Sequence, residues 1–101
     1  MDVLHTTEIE YLFNVILGLE NADECFAFFE DVCTVKELQD MAMRLQVARM
    51  LKAGRSYQEI SADTGASTAT ISRVNKCLMY GSGYKLALGR ENADKTENTD
   101  R

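Results

Sequence analysis

Apolar positions along the chain recur at three- and four-residue intervals, and no stretch alternates apolar with polar residues as a half-buried strand would. Pro is absent, and helix-start signals recur with a single spacing, at Thr7…Glu10, Asn21…Glu24, Thr34…Glu37 and Ser56…Glu59. In each, a short polar side chain can accept from an orphan amide of the first turn while a carboxylate three residues on reaches back. The pattern predicts an all-α chain. In the first helix Ile9, Leu12, Phe13, Ile16 and Leu17 form one stripe, and Tyr11, Val15 and Leu19 cover much of the remaining face. A helix apolar nearly all round needs cover on two sides, which in a small domain favours a second copy.

The second helix, Asp23 to Val32, carries Cys25, Phe26, Phe28, Phe29 and Val32, and the third carries Val35, Leu38, Met41, Ala42, Leu45, Ala48 and Leu51. Both read as core helices, with Gly54 closing the third. In SYQEISADTGASTATISRVNKCLM, residues 56–79, Ser56 caps a short helix to about Asp63, Gly65 supplies a tight turn and Ser67 caps a second helix. Ile60, Ala66, Ile71, Val74 and Leu78 fall on the inward side, and Ser61 and Ala62 are small enough for a close crossing. This is a helix-turn-helix pattern. The expected organisation is one helical domain over 1–90: dimerisation helices in 1–53, the helix-turn-helix in 56–79 and a C-terminal helix in 80–89. RENADKTENTDR has one Ala and no larger apolar group, so 91–101 is expected to be a disordered tail.

At 101 residues with 46% hydrophobic and 27% charged, the chain suits one compact soluble domain whose thin core gains from homodimerisation. No apolar run approaches the roughly 20 residues of a membrane span, and MDVLHTTEIEYLF lacks a basic signal-peptide start, so a cytoplasmic location is expected. Cys25, Cys33 and Cys77 lack CxxC spacing and read as small core hydrophobes. With the single His5 they make no disulfide framework or metal set, and no cofactor is implied. No Ser/His/Asp arrangement and no phosphate loop is present, so an enzyme is not expected.

The net charge of −5 hides a segregation: residues 1–35 hold eight acids and no Lys or Arg, whereas 36–90 hold nine bases against four acids. A basic middle can face phosphates even in a chain of pI 4.8. The outward turns of the second motif helix present Thr68, Ala69, Thr70, Ser72 and Arg73 beside the cap Ser67, a small-residue set that suits a major groove. Lys52, Arg55, Gln58 and Lys76 are candidates for phosphate contacts.

KELQDMAMRLQVARMLKAGRSYQEISADTGASTATISRVNKCL, above all GASTATISR (65–73) after MRLQVARMLKAG (43–54), resembles the Trp repressor superfamily, in particular its YerC/YecD branch. The resemblance implies an intertwined helical homodimer with two outer helix-turn-helix heads that bind double-stranded DNA and regulate transcription, as a repressor by occlusion. It also implies an effector pocket. Arg44 and Arg73 match two ligand-bracketing arginines, and Thr34 matches a pocket threonine from the facing subunit. Elsewhere the pattern departs: Val74 stands for the glycine beside the indole, Cys77 for a serine and Asp31 for a leucine. A branched Val74 would occupy the space of the ring, so tryptophan is not expected as corepressor, although two cations would suit a small anionic effector. The family's phosphate-facing cations on the first motif helix align with Gln58 and Ser61, which implies modest DNA affinity. The competing reading is a protein-interaction module with an architectural helix-turn-helix.

Overall fold

The structure, a computed structural model, describes residues 2–97, with side chains over 2–90. Among the described residues six helices follow one another: α1 (Thr7–Leu17), α2 (Ala22–Val32), α3 (Val35–Lys52), α4 (Tyr57–Thr64), α5 (Thr68–Tyr80) and α6 (Gly83–Glu97). No strand occurs among the described residues.

Three of the four start signals hold at their positions. Asn21 Oδ1 accepts from Glu24 N at 2.9 Å, and Thr34 and Glu37 satisfy each other's amides at 3.1 and 2.8 Å. Ser56 and Glu59 do the same at 3.1 and 2.9 Å. The first signal is displaced by one residue. Thr6, not Thr7, is extended and accepts from Ile9 N at 3.2 Å, because a cap must sit outside the helix and Thr7 already lies within it.

The chain packs as two compact units, Met1–Leu38 and Gln39–Arg101, divided inside α3. In the first unit neither α1 nor α2 has a fully buried residue. Tyr11 is 70% and Leu17 80% exposed, Phe26 is exposed, and Phe28 and Phe29 meet edge to face at 5.3 Å. The expectation of a core helix therefore fails for α2 within the single chain. The cysteines are not core residues either, since Cys25 and Cys77 are exposed and Cys33 is half-buried.

The second unit holds the core: Val47, Ala48 and Met50 from α3, Ile60 from α4, Ala66 from the turn, Ile71 and Val74 from α5, and Leu88 from α6. Burying each large aliphatic side chain here contributes about 1.5–3 kcal/mol. Helix α3 has two apolar faces. At about 100° per residue, Met43, Val47, Met50 and Leu51 share one side, and Leu38, Met41, Ala42 and Leu45 the opposite side. The first face packs inward; on the second, which periodicity alone assigns to the core, Met41, Ala42 and Leu45 are exposed. Periodicity identifies an apolar stripe but not its destination, and a helix with two of them leaves the choice to its neighbours.

Helix α3 ends at Gly54, whose φ of 85° lets Arg55 N donate to Met50 O and Gly54 N to Leu51 O, both at 3.0 Å. Helix α6 runs to Glu97, beyond the expected end at 89, so residues 91–97 of the expected tail are helical. The segment lacks large apolar groups, but it also lacks Pro and Gly, and Glu91, Ala93, Lys95 and Glu97 favour helix without needing burial. The remainder of that expected tail, 98–101, lies outside the described residues.

Candidate nucleic-acid interface

The helix-turn-helix is built from α4, a three-residue turn and α5. Helix α4 stops at Gly65, whose φ of 77° and ψ of 3° turn the chain while its amide donates to Ser61 O at 2.8 Å. Two hydroxyls lock the bend. Thr64 Oγ1 donates to Ile60 O at 2.7 Å and accepts from Ala66 N at 3.1 Å, and Ser61 Oγ donates to Ala66 O at 2.8 Å. Ser61 is thus a turn residue as well as a small one, whereas Ala62 is exposed and takes no part in the crossing. Ala66, Ile60, Ile71 and Val74 are buried and Leu78 is packed against them, as the sequence predicts.

Ser67 caps α5, accepting from Thr70 N at 3.1 Å and donating to Thr70 Oγ1 at 3.1 Å. Thr70 is half-buried, and its hydroxyl is occupied by the cap. With Ile71, Val74 and Leu78 turned inward, Thr68, Ala69, Ser72, Arg73 and Lys76 are all exposed, and helical geometry puts Ala69, Ser72, Arg73 and Lys76 on the opposite side with Thr68 at its flank. The outward face is small near its start and cationic one turn further on. It ends in apolar Met79 and Tyr80, two exposed residues that no sequence motif marks. Gln58 is exposed on α4. Below the face, Lys85 Nζ donates to Met79 O at 3.0 Å, which satisfies a carbonyl at the C-terminal end of α5.

Arg55, a candidate phosphate contact, is paired with two carboxylates of α4. Its Nε lies 3.2 Å from Glu59 Oε1 and its Nη2 3.4 Å from Asp63 Oδ2. The Ser56 N–H, together with the Arg55 guanidinium, holds the Glu59 carboxyl below its ordinary range.

The residues matched to an effector pocket are dispersed in character. Val74 is 2% exposed and belongs to the core, Arg44 and Arg73 are exposed, and Thr34 caps α3. Cys77 lies on the wall of an open apolar groove of about 510 Å³ with Leu45, Gly81, Gly83, Tyr84 and Ala87. A smaller hollow of about 280 Å³ is lined by Ala42, Leu45, Gln46, Arg49, Ala87 and Leu88. Neither groove was legible in the sequence, because Leu45 and Ala87 are 42 positions apart and meet only when α3 and α6 pack. No group of three or more His, Cys, Asp or Glu suited to a metal occurs among the described residues, and no described helix is long and apolar enough to cross a membrane.

A tight turn with a left-handed glycine, crossing two short helices over an aliphatic centre on an all-helical frame, defines a helix-turn-helix protein. The family model of the Trp repressor protein matches residues 7–92, and the chain belongs to that family. The uncharacterised protein YerC of Bacillus subtilis (strain 168) is 49% identical over 102 residues, spanning 100% of this chain and 98% of that protein. Among solved structures, a TrpR-like protein from Eubacterium eligens ATCC 27750 superposes with a TM-score of 0.86 at 49% identity, covering 88% of this chain and 93% of that one. A candidate Trp repressor from Staphylococcus aureus gives 0.84 at 49% identity, with 88% and 90% covered. The resemblance carried by GASTATISR is therefore borne out, and so is the Trp repressor-like helical fold.

Proposed function

We propose that this protein is a homodimeric, sequence-specific DNA-binding regulator of transcription, acting as a repressor by occlusion in the cytoplasm and not as an enzyme. The carrying observation is the outward face of α5: Thr68, Ala69, Ser72, Arg73 and Lys76 are exposed on a helix whose other side is fixed in the core. Such a face suits a major groove, where small side chains allow deep entry and hydroxyl and methyl groups meet base edges. Ser67 and Thr70 then hold the helix start in place, while Arg73, Lys76 and Gln58 position the head on phosphates. Family membership supports the same reading.

Dimerisation is supported by the apolar surface that a single chain leaves open, on α1, α2 and the outer side of α3, and by the grooves bordered by Leu45 and Ala87. A monomer with so many exposed large side chains on consecutive helices lacks cover. In such a dimer the exposed Arg44 and Arg73, with Cys77, would be the groups to meet a small anionic effector, and the resemblance adds Thr34 from the facing subunit. Val74, fixed in the core, supports a site that does not take an indole ring.

The test is selection from a random duplex library at low salt, without added ligand. Enrichment of a near-palindrome with half-sites about one helical turn apart is expected. Failure to enrich any sequence, with and without candidate anionic effectors, would move the interaction-module reading ahead.

A further inference from the structure

Arg55 occupies a distinctive place in the head. It follows the left-handed Gly54 and precedes the Ser56 cap, so it sits at the N-terminal end of α4, the end of a first motif helix that crosses the DNA backbone. Positions 55, 59 and 63 fall on one stripe, four residues apart, and along it the guanidinium spans both carboxylates, Glu59 at 3.2 Å and Asp63 at 3.4 Å. Between residues 55 and 80 the sequence holds three cations, Arg55, Arg73 and Lys76, and two acids, Glu59 and Asp63. Both acids are thus spent on one cation. Arg73 and Lys76 make no ion pair among the described residues.

We propose that Glu59 and Asp63 stand in for DNA phosphate, clamping Arg55 along α4 and holding down the affinity of the head for duplex DNA. This rests on the nucleic-acid reading above. A carboxylate offers a guanidinium the same paired oxygen acceptors as a phosphodiester, so the two compete for one fork of N–H groups. All three side chains are exposed, so the pairs are weak and a phosphate set at the right distance can displace them. Away from such a phosphate the clamp keeps one cation out of non-specific binding, which is almost wholly electrostatic. It therefore lowers the sequence-independent part of the affinity, leaving Arg73 and Lys76 as the standing contacts.

The test compares the unchanged protein, Asp63→Asn and Glu59→Gln/Asp63→Asn, each with Arg55 or with Arg55→Gln, on a random-sequence duplex by fluorescence anisotropy across a salt series. Gln at position 59 retains the capping interaction, and circular dichroism checks that each variant is folded. With Arg55 present, neutralising the acids is expected to raise affinity about three- to tenfold at low salt and to steepen the slope of log affinity on log salt by about 0.9, one phosphate's worth. With Arg55→Gln the steepening should vanish. Equal slopes with and without Arg55 overturn the clamp, because the gain is then only relieved repulsion. A flatter slope on Arg55→Gln in the otherwise unchanged protein overturns it too, since Arg55 would already be on phosphate. If no folded variant binds duplex in a salt-dependent way, the nucleic-acid reading falls and takes the clamp with it.

Discussion

Replacing Gly65 with alanine isolates what the backbone of the turn costs. At φ 77° an L-residue brings its Cβ against its own carbonyl, a strain of roughly 1–2 kcal/mol. No neighbouring atom lies within 4 Å of the added methyl, so no clash adds to this. Alanine also narrows the unfolded ensemble, returning about 0.4–1 kcal/mol, which leaves a net loss of about 1 kcal/mol. The same substitution at Gly89 provides the opposite case. That residue lies inside α6, has no positive φ and likewise has open space around its Cβ position. Gly89→Ala should therefore stabilise by about 0.5–1 kcal/mol through helix propensity alone. Thermal melts followed by circular dichroism at matched protein concentration should show Tm falling by about 4–8 °C for Gly65→Ala and rising, by somewhat less, for Gly89→Ala. A Gly65→Ala protein melting at or above the parent, alongside a stabilised Gly89→Ala, would refute a left-handed turn at position 65.

The other predictions concern the core, the cap and the outward face. Ile71→Ala, at a position with no exposure, should cost about 2–5 kcal/mol in urea unfolding, and a loss below about 1 kcal/mol would contradict its place at the centre of the head. The Glu59 carboxyl titrates below its ordinary value, so its contribution to stability is present above the unfolded-state pKa and is lost as pH falls through the lower folded value. Stability should decline between about pH 5 and pH 3 more steeply in the parent than in Glu59→Gln, and parallel profiles would count against the cap. Thr68→Glu places a carboxylate in the first turn of α5, where the helix dipole favours it, so mobility-shift assays should lose specific binding while Tm holds or rises. Calorimetry with tryptophan should give no binding heat; a micromolar affinity would defeat the role given to Val74.

Much of the framework was legible because it is local. Capping at Asn21, Thr34, Ser56 and Ser67 needs only a polar atom near amides two or three residues ahead, and the left-handed turns at Gly54 and Gly65 need only a missing Cβ. The inward set of the helix-turn-helix was readable for a related reason: both helices are short, each has one apolar face, and the turn fixes their crossing. The exposed face of α5 followed by subtraction. What sequence could not supply were choices between locally equivalent options. Periodicity gave α3 an apolar stripe through Leu38, Met41 and Leu45, yet the unit core took the other side, through Val47 and Met50. The three-residue spacing to Glu10 marked Thr7 as the first cap, yet the path of the backbone put Thr6 there.

Arg55 illustrates the division. Its sequence determined a cation at a helix start, free in principle to meet an external anion. The four-residue spacing of 55, 59 and 63 is local and gives the three a common side once 57–64 coils at 3.6 residues per turn, and the folded structure added the direction of entry at Gly54, which lays the guanidinium along α4. Local signals determined where helices start and turn, since those depend on backbone groups a few residues away. Burial depends on which surfaces meet, and packing alone made that selection.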